Sequence, residues 1–179
     1  MKANRKRFTG PPHPDRDCQF RYISKQKGLF FQNNLPVISV DTKHKELIGD
    51  FKNPGQTWVR EPIEVNAHDF PQDALCKTAP YGVYDVGRNH GFIYVGVSSD
   101  TPQFAVDSIR QWWLVHGRKQ YCQASKLLIL ADAGGSNGYR LRHFKKQLQE
   151  KIADAFNLKV TVCHFPSGAS KWNPVEHRL

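Results

Sequence analysis

The 179-residue sequence predicts an α/β domain, a mixed sheet with helices on both faces, and three observations carry that prediction. Two short apolar runs, PVISVD (Pro36 to Asp41) and LLILAD (Leu127 to Asp132), lack the polar alternation of a half-exposed strand, so they read as central strands covered on both sides. Segments of helical periodicity lie between the strand signals, the pattern of a layered sheet. The length fits a single domain, for which about 100–200 residues is usual, and hence one active site.

In chain order, the first 34 residues are polar and basic, and PPHP (Pro11 to Pro14) bars regular structure. Residues 1–34 therefore read as a basic arm or linker, and residues 35–179 as the domain. PVISVD is its first strand. The stretch from Asp50 to Pro80, with KNPGQTW and VNAHDF, has no period that fixes its fold. YGVYDV and FIYVGV flank GRNH (Gly87 to His90), whose Gly and Asn suit a hairpin turn. After SSDTP, Thr101 can cap a helix with Pro102 at its first position, and Ala105, Ile109, Trp112 and Trp113 form its apolar stripe down to Gly117. LLILAD follows. Leu141, Phe144, Leu148, Ile152 and Ala155 then recur at helical spacing, with Arg142, Lys145, Lys146 and Lys151 elsewhere on that surface. LKVTVCHF (Leu158 to Phe165) makes a last strand, and SKWNPVEHRL begins a helix near Asn173.

Lysine and arginine number 26 against 16 acids, a formal net charge of +10, which favours a polyanionic partner such as nucleic acid, against the bland reading of a merely basic soluble protein. The four cysteines, Cys18, Cys76, Cys122 and Cys163, contain no CxxC pair, which argues against a zinc ribbon or a disulfide framework and suits a reducing cytoplasm. No apolar run approaches the roughly 20 residues of a membrane span, and MKANRKRFTG lacks the apolar stretch of a secretory signal. A soluble, cytoplasmic protein is expected. ADAGGSNG has the strand-to-helix context of a nucleotide loop but neither GxGxxG nor GxxxxGK[ST]. Gly134 and Gly135 are better read as letting the backbone turn sharply beneath Asp132.

Asp41 and Asp132 each end an apolar strand, and Glu176 lies in the closing segment. If the two strands are neighbours, their terminal carboxylates meet at one sheet edge, and a helix starting near Asn173 can bring the third. Three carboxylates make an oxygen-rich site for Mg2+ or Mn2+, hard cations that bind phosphate oxygens as well. A pair of such ions about 3.5–4 Å apart serves in-line phosphoryl displacement. Each acid also has a structural reading. Asn173, Pro174 and Glu176 form a capping box. Asp132 can cap the following helix or brace the glycine loop. For Asp41 the structural reading is harder, because an acid ending a doubly buried strand needs a partner or a metal.

HPDRDCQFRYI, PVISVDTKHKELIGDF, VNAHDFP, PYGVYDV, DTPQFAVDSIRQWW, LLILADAGGSNGYR and VCHFPSGASKWNPVEHRL together span nearly the whole chain from His13. These stretches resemble the bacterial insertion-sequence transposases with an Asp-Asp-Glu (DDE) catalytic domain of the Rhodopirellula type. WNPVEH is also similar to the Asn-Pro-x-Glu signature of other transposases of this broad fold. The resemblance implies a ribonuclease-H-like fold, with Asp41 on the first strand, Asp132 just after the fourth and Glu176 on the last helix. It also implies strand cleavage at element ends dependent on Mg2+ or Mn2+, with two ions, and attack of the freed 3′-hydroxyl on target DNA. Transposon ends and target DNA are then the partners, and a homodimeric assembly is left open. Lys43, Lys171 and Arg178 stand beside the acids in sequence and are candidates for DNA phosphate contacts, against a bland reading as solvated surface charge. His177, next to Glu176, is a minor candidate for proton transfer.

Two departures stand out. Family members usually carry three glycines after the second acid, and Ala133 takes the first place here, a change that a negative φ tolerates. The sequence ends three residues after Glu176, so its helix is expected to have barely one turn and the chain to be a catalytic-core fragment, truncated at the C-terminus and without an upstream DNA-binding region. Two rival classes are an inactive remnant that binds DNA without catalysis and a nuclease of RNA/DNA hybrids.

Overall fold

Alternation of apolar side chains along the central strands builds two separate cores, one on each face of the sheet. In a computed structural model, which describes residues 14–43, 45–52, 58–62, 64–66, 71–97 and 99–179, the elements are α1 (Arg16–Gln32), β1 (Val37–Thr42), β2 (Glu46–Ile48), β3 (Cys76–Asp85), β4 (His90–Gly96), α2 (Pro102–Trp112), α3 (Arg118–Gln120), β5 (Lys126–Ala131), α4 (Arg142–Leu148), β6 (Lys159–His164) and α5 (Val175–Arg178). Ile38, Val40, Ile129 and Ala131 pack with Ile109 and Trp112 of α2 and Phe144 of α4. Their strand neighbours Val37, Leu128 and Leu130 point the other way, onto Ile23 and Phe30 of α1. Both faces are thus covered, as expected of strands without polar alternation.

β1 lies between β3, to which it is antiparallel, and β5, to which it is parallel. β6 continues the sheet parallel to β5, while β4 and β2 pair antiparallel with β3. In the β1–β5 pairing Val40 stands opposite Ala131. The residues that follow, Asp41 and Asp132, therefore leave adjacent strands side by side.

The predicted hairpin forms: Asp85 pairs with His90, its carboxylate accepts from the Gly87 and Arg88 backbone N–H groups at 3.1 Å, and Asn89 adopts the left-handed φ of 52° that Asn tolerates. Thr101 caps α2 as expected, accepting from the Phe104 N–H at 3.2 Å, and Ala105, Ile109, Trp112 and Trp113 are buried.

Four features differ from the sequence expectation. Arg16–Gln32, read as part of an arm, is a helix packed on the sheet. Its signal was diluted, because only Ile23 and Phe30 are buried while Tyr22, Leu29 and Phe31 face solvent. The short β2 was not expected, and β3 begins at Cys76, ahead of YGVYDV; β2 makes the strand before Asp132 the fifth. Ala155 is exposed although it keeps helical spacing with Ile152, because a π-helical segment, Gln149–Asp154, follows α4 and moves the register on by one. Phe156 packs against the core instead. The basic start and most of PPHP, KNPGQTW and VNAHDF lie outside the described residues. Among the described residues no helix is long and apolar enough to cross a membrane.

Candidate metal centre

The register that aligns Asp41 with Asp132 also leaves room for a third acid. Asp41 is the penultimate residue of β1, Asp132 follows β5, and Glu176 sits on α5. One carboxylate oxygen from each lies within 4.8 Å of the others; the two aspartates are half-buried and Glu176 is exposed.

Asn173 brings these segments together. Wholly buried, it accepts from the Ser39 hydroxyl of β1 through Oδ1 and donates through Nδ2 to Asp132 Oδ1 at 3.1 Å and to the Val40 carbonyl at 3.3 Å. Ser39 Oγ in turn accepts from the Val175 N–H at 3.0 Å, so a strand residue caps the start of α5. The capping-box reading is therefore corrected: Pro174 stands at the cap position with no side-chain bond, and the Asn173 side chain turns into the sheet. α5 has four residues, too few to stand by propensity, and its hold on the domain is tertiary. Val175 is buried against β3 at Gly82, where a Cβ would come within 2.9 Å of Val175 Cγ2. Phe20 of α1 meets Trp172, just before α5, edge-on at 6.0 Å.

Burial, and then the charges of Asp132, Glu176 and Asp100, push the Asp41 carboxyl up to about 6, against the opposing pull of the Thr42 backbone N–H. Burial and then Glu176 also raise Asp132, opposed by the Asn173 amide and by His164. Like charges held this close in a partly desolvated place are poor neighbours unless a cation joins them. An all-carboxylate, hard-oxygen donor set with one solvent-facing member fits Mg2+ or Mn2+ and does not suit a thiophilic metal.

The glycine loop follows Asp132 directly. Gly135 adopts φ +66°, with no atom within 4 Å of where a Cβ would lie, so its need is conformational. Gly134 is extended and makes no such demand. In the 3-10 turn that follows, Gly135–Asn137, the cap position falls on Gly134, which has no side chain to offer, while the Asp132 carboxylate accepts from Asn173. Tyr81 OH donates to Asn137 Oδ1 at 2.7 Å, and His164 Nε2 lies 2.8 Å from the Asn137 carbonyl, which it meets as donor.

Lys43 is exposed and, with Asp41, Glu176, Ile93, Val175 and Leu179, lines a groove of about 330 Å3. Lys171 and Arg178 are exposed; the Lys171 ammonium lies 5.3 Å from the Trp172 ring centre. His177 turns Nε2 to the Lys171 carbonyl at 2.6 Å, a backbone partner rather than Glu176. Sequence reasoning passed over Ser39, Thr42, Asp100 and Ser136. Ser39 had a signal, a hydroxyl inside an otherwise apolar strand, which demands a buried partner. Asp100 stood in SSDTP, where the cap alone was read.

No protein of curated function matches the sequence. Among solved structures, a pre-cleavage Mos1 transpososome aligns with 95% of this chain and 48% of that chain at 13% identity, with a TM-score of 0.52. The Mos1 transposase paired-end complex with left transposon end covers 95% of this chain and 49% of that chain at 14% identity, with a TM-score of 0.47. This chain thus spans about half the length of those it resembles. The first likeness identifies the sheet as ribonuclease-H-like, as the sequence resemblance implied. Residues 1–179 match the Rhodopirellula transposase DDE domain throughout, and the chain belongs to that family.

Proposed function

We propose that this DDE domain cuts DNA at the ends of an insertion sequence and joins the freed ends to target DNA, with Asp41, Asp132 and Glu176 as the ligands of two divalent ions, Mg2+ or Mn2+. The convergence of the three acids carries the reading: carboxylate oxygens within 4.8 Å, from three distant parts of the chain, with Asp41 and Asp132 made unusually basic by burial and by neighbouring carboxylates. Ions bound there would activate the attacking oxygen and stabilise the leaving oxygen of an in-line displacement.

The chain's own residues supply the placement. Asn173 engages Oδ1 of Asp132, which orients that carboxylate, while Glu176, on the solvent side, completes the set. Lys43, Lys171 and Arg178 contact DNA phosphates on either side of the acids. No side chain attacks phosphorus. In the first step the oxygen of water bonds to phosphorus, the P–O3′ bond breaks and a 3′-hydroxyl is left. In the second, that hydroxyl attacks a target phosphodiester and releases a target 3′-hydroxyl. Element ends and target DNA are the partners, and a homodimer is the assembly that would hold two ends at once.

Mn2+-dependent nicking of labelled terminal-repeat duplexes, by a protein carrying this domain, tests the assignment. Asp41→Asn and Asp132→Asn should each lower the rate by about 100-fold or more, the scale of losing a charge-stabilising group at a reacting centre. Undiminished cleavage by either variant would sink it, and preference for RNA/DNA hybrids over element ends would favour the nuclease reading.

A further inference from the structure

Thr42 occupies a junction that the proposed chemistry does not use. Its hydroxyl donates to Asp100 Oδ1 at 3.2 Å and lies 3.3 Å from Ser136 Oγ. A hydroxyl has one proton, and with that proton on Asp100 the Ser136 hydroxyl must be the donor in the second bond. The result is a directed relay, Ser136 to Thr42 to Asp100, ending on a carboxylate, whose charge strengthens the last bond.

Each end of the relay is anchored. Asp100 immediately precedes Thr101, the cap of α2. Ser136 is buried in the turn that follows Asp132, and that turn is pinned by Tyr81 and His164. At the centre, Thr42 is joined by its backbone N–H to the Asp41 carboxylate. The relay is needed because the β1–β5 pairing stops at Val40 and Ala131. Beyond that pair, where Asp41 faces Asp132, the β1–β5 ladder ends and side-chain bonds, those of Asn173 among them, set the gap between the two segments.

We propose that Thr42 is a positioning residue for the carboxylate site: its hydroxyl ties the end of β1 to the loop after Asp132 and to the start of α2, and so sets the spacing of Asp41 and Asp132. The inference rests on the reading of those acids as metal ligands. Asp100 stands outside the oxygens gathered within 4.8 Å, which come from Asp41, Asp132 and Glu176, and it bonds to the site through Thr42 besides adding its charge to the surroundings of Asp41. Threonine suits the post, because its branched Cβ restricts χ1 and holds the hydroxyl in place.

Titration of Mn2+ into the DNA-free protein, followed by electron paramagnetic resonance of the free ion, tests this alongside melting curves and cleavage kinetics. Thr42→Val and Asp100→Ala should each weaken Mn2+ binding about tenfold, the lower end of what losing a residue that orients a metal ligand costs. kcat should fall at saturating Mn2+ while KM for DNA holds. Thr42→Ser should restore both, and the double variant should be no worse than either single one. Asp100→Asn, which keeps an acceptor oxygen, should lie nearer the parent than Asp100→Ala; that comparison decides if the melting curve shows that Thr42→Val does not fold. Parent-like Mn2+ binding in Thr42→Val, or additive losses in the double variant, would overturn the relay. Asp41→Asn in the same titration separates the two proposals: if it still binds Mn2+ normally, the metal reading itself falls, whereas if only the Thr42 variants behave normally, the relay alone falls.

Discussion

Every polar atom of the Asn173 side chain has a partner, although the residue has no exposed surface. Asn173→Ala would leave the Ser39 hydroxyl proton without its acceptor and remove the amide's bonds to the Val40 carbonyl and Asp132, at about 1–3 kcal/mol for a buried group left unpaired, measurable by urea unfolding. Asn173→Asp should destabilise more, since it sets a carboxylate against Asp132. The pH dependence of the ion-free protein has a definite sign. Asp41 titrates near 6 in the folded chain against 3.8 as the ordinary value, so between those limits the folded state binds more protons. This group's destabilising effect is absent below about pH 4, grows as pH rises, and is complete above about pH 6. In EDTA, the melting temperature of the parent relative to Asp41→Asn should therefore fall between pH 4 and pH 6 and then level off; Mg2+ at pH 7 should raise it in the parent and much less in the variant. A flat difference across that window would contradict the crowding of the site. Asp41 and Asp132 were legible as candidates because an ionisable residue at the end of an apolar run is out of place, whereas Glu176 was singled out by the resemblance of WNPVEH. Thr42, Asp100 and Ser136 were not, since a hydroxyl relay between distant segments leaves no period or spacing in sequence.

Helices and strands differ in how much of themselves they reveal. β1 and β5 are buried on both faces, so β5 appears as an unbroken apolar run after Lys126 and β1 as one interrupted only by Ser39 before its closing Asp41 and Thr42. α1 buries two of its 17 residues fully and shows several apolar side chains to water, which blurs its period. β2 is three residues long, below what alternation can signal. The π-helical turn after α4 is hidden for another reason: a fixed period of 3.6 assigns Ala155 to the buried stripe, whereas the wider turn exposes it and carries Phe156 inward. Paired substitutions test that register. Ile152→Ala should cost about 2–5 kcal/mol as a large-to-small core change, whereas Ala155→Glu should stay within about 0.5 kcal/mol of the parent, as an exposed site should. Equal losses in urea unfolding would mean that the stripe continues through Ala155 and that the turn is α-helical.

The site is a property of the assembled sheet. Nothing in PVISVD or LLILAD says that the two strands are neighbours, and it is their parallel pairing that sets Asp41 beside Asp132. The same polarity divides the positive charge. Lys43 follows the C-terminal end of β1, and Lys171 and Arg178 flank the Asn173–Glu176 segment that meets Asp132 and Asp41 there, whereas the paired Lys126 and Lys159 begin β5 and β6 at the opposite edge. A net charge of +10 alone predicts binding to DNA by any face, with all lysines equivalent. A site-centred interface predicts otherwise: removing one cation that neutralises a phosphate should reduce the slope of log K against log salt by about one. Anisotropy titrations of a terminal-repeat duplex at several salt concentrations should thus show a shallower slope for Lys43→Ala, Lys171→Ala and Arg178→Ala, and an unchanged slope for Lys126→Ala with Lys159→Ala. If the distal pair flattens the slope as much as the proximal residues do, DNA is held by diffuse charge, and the sheet edge bearing the carboxylates loses its claim to the interface.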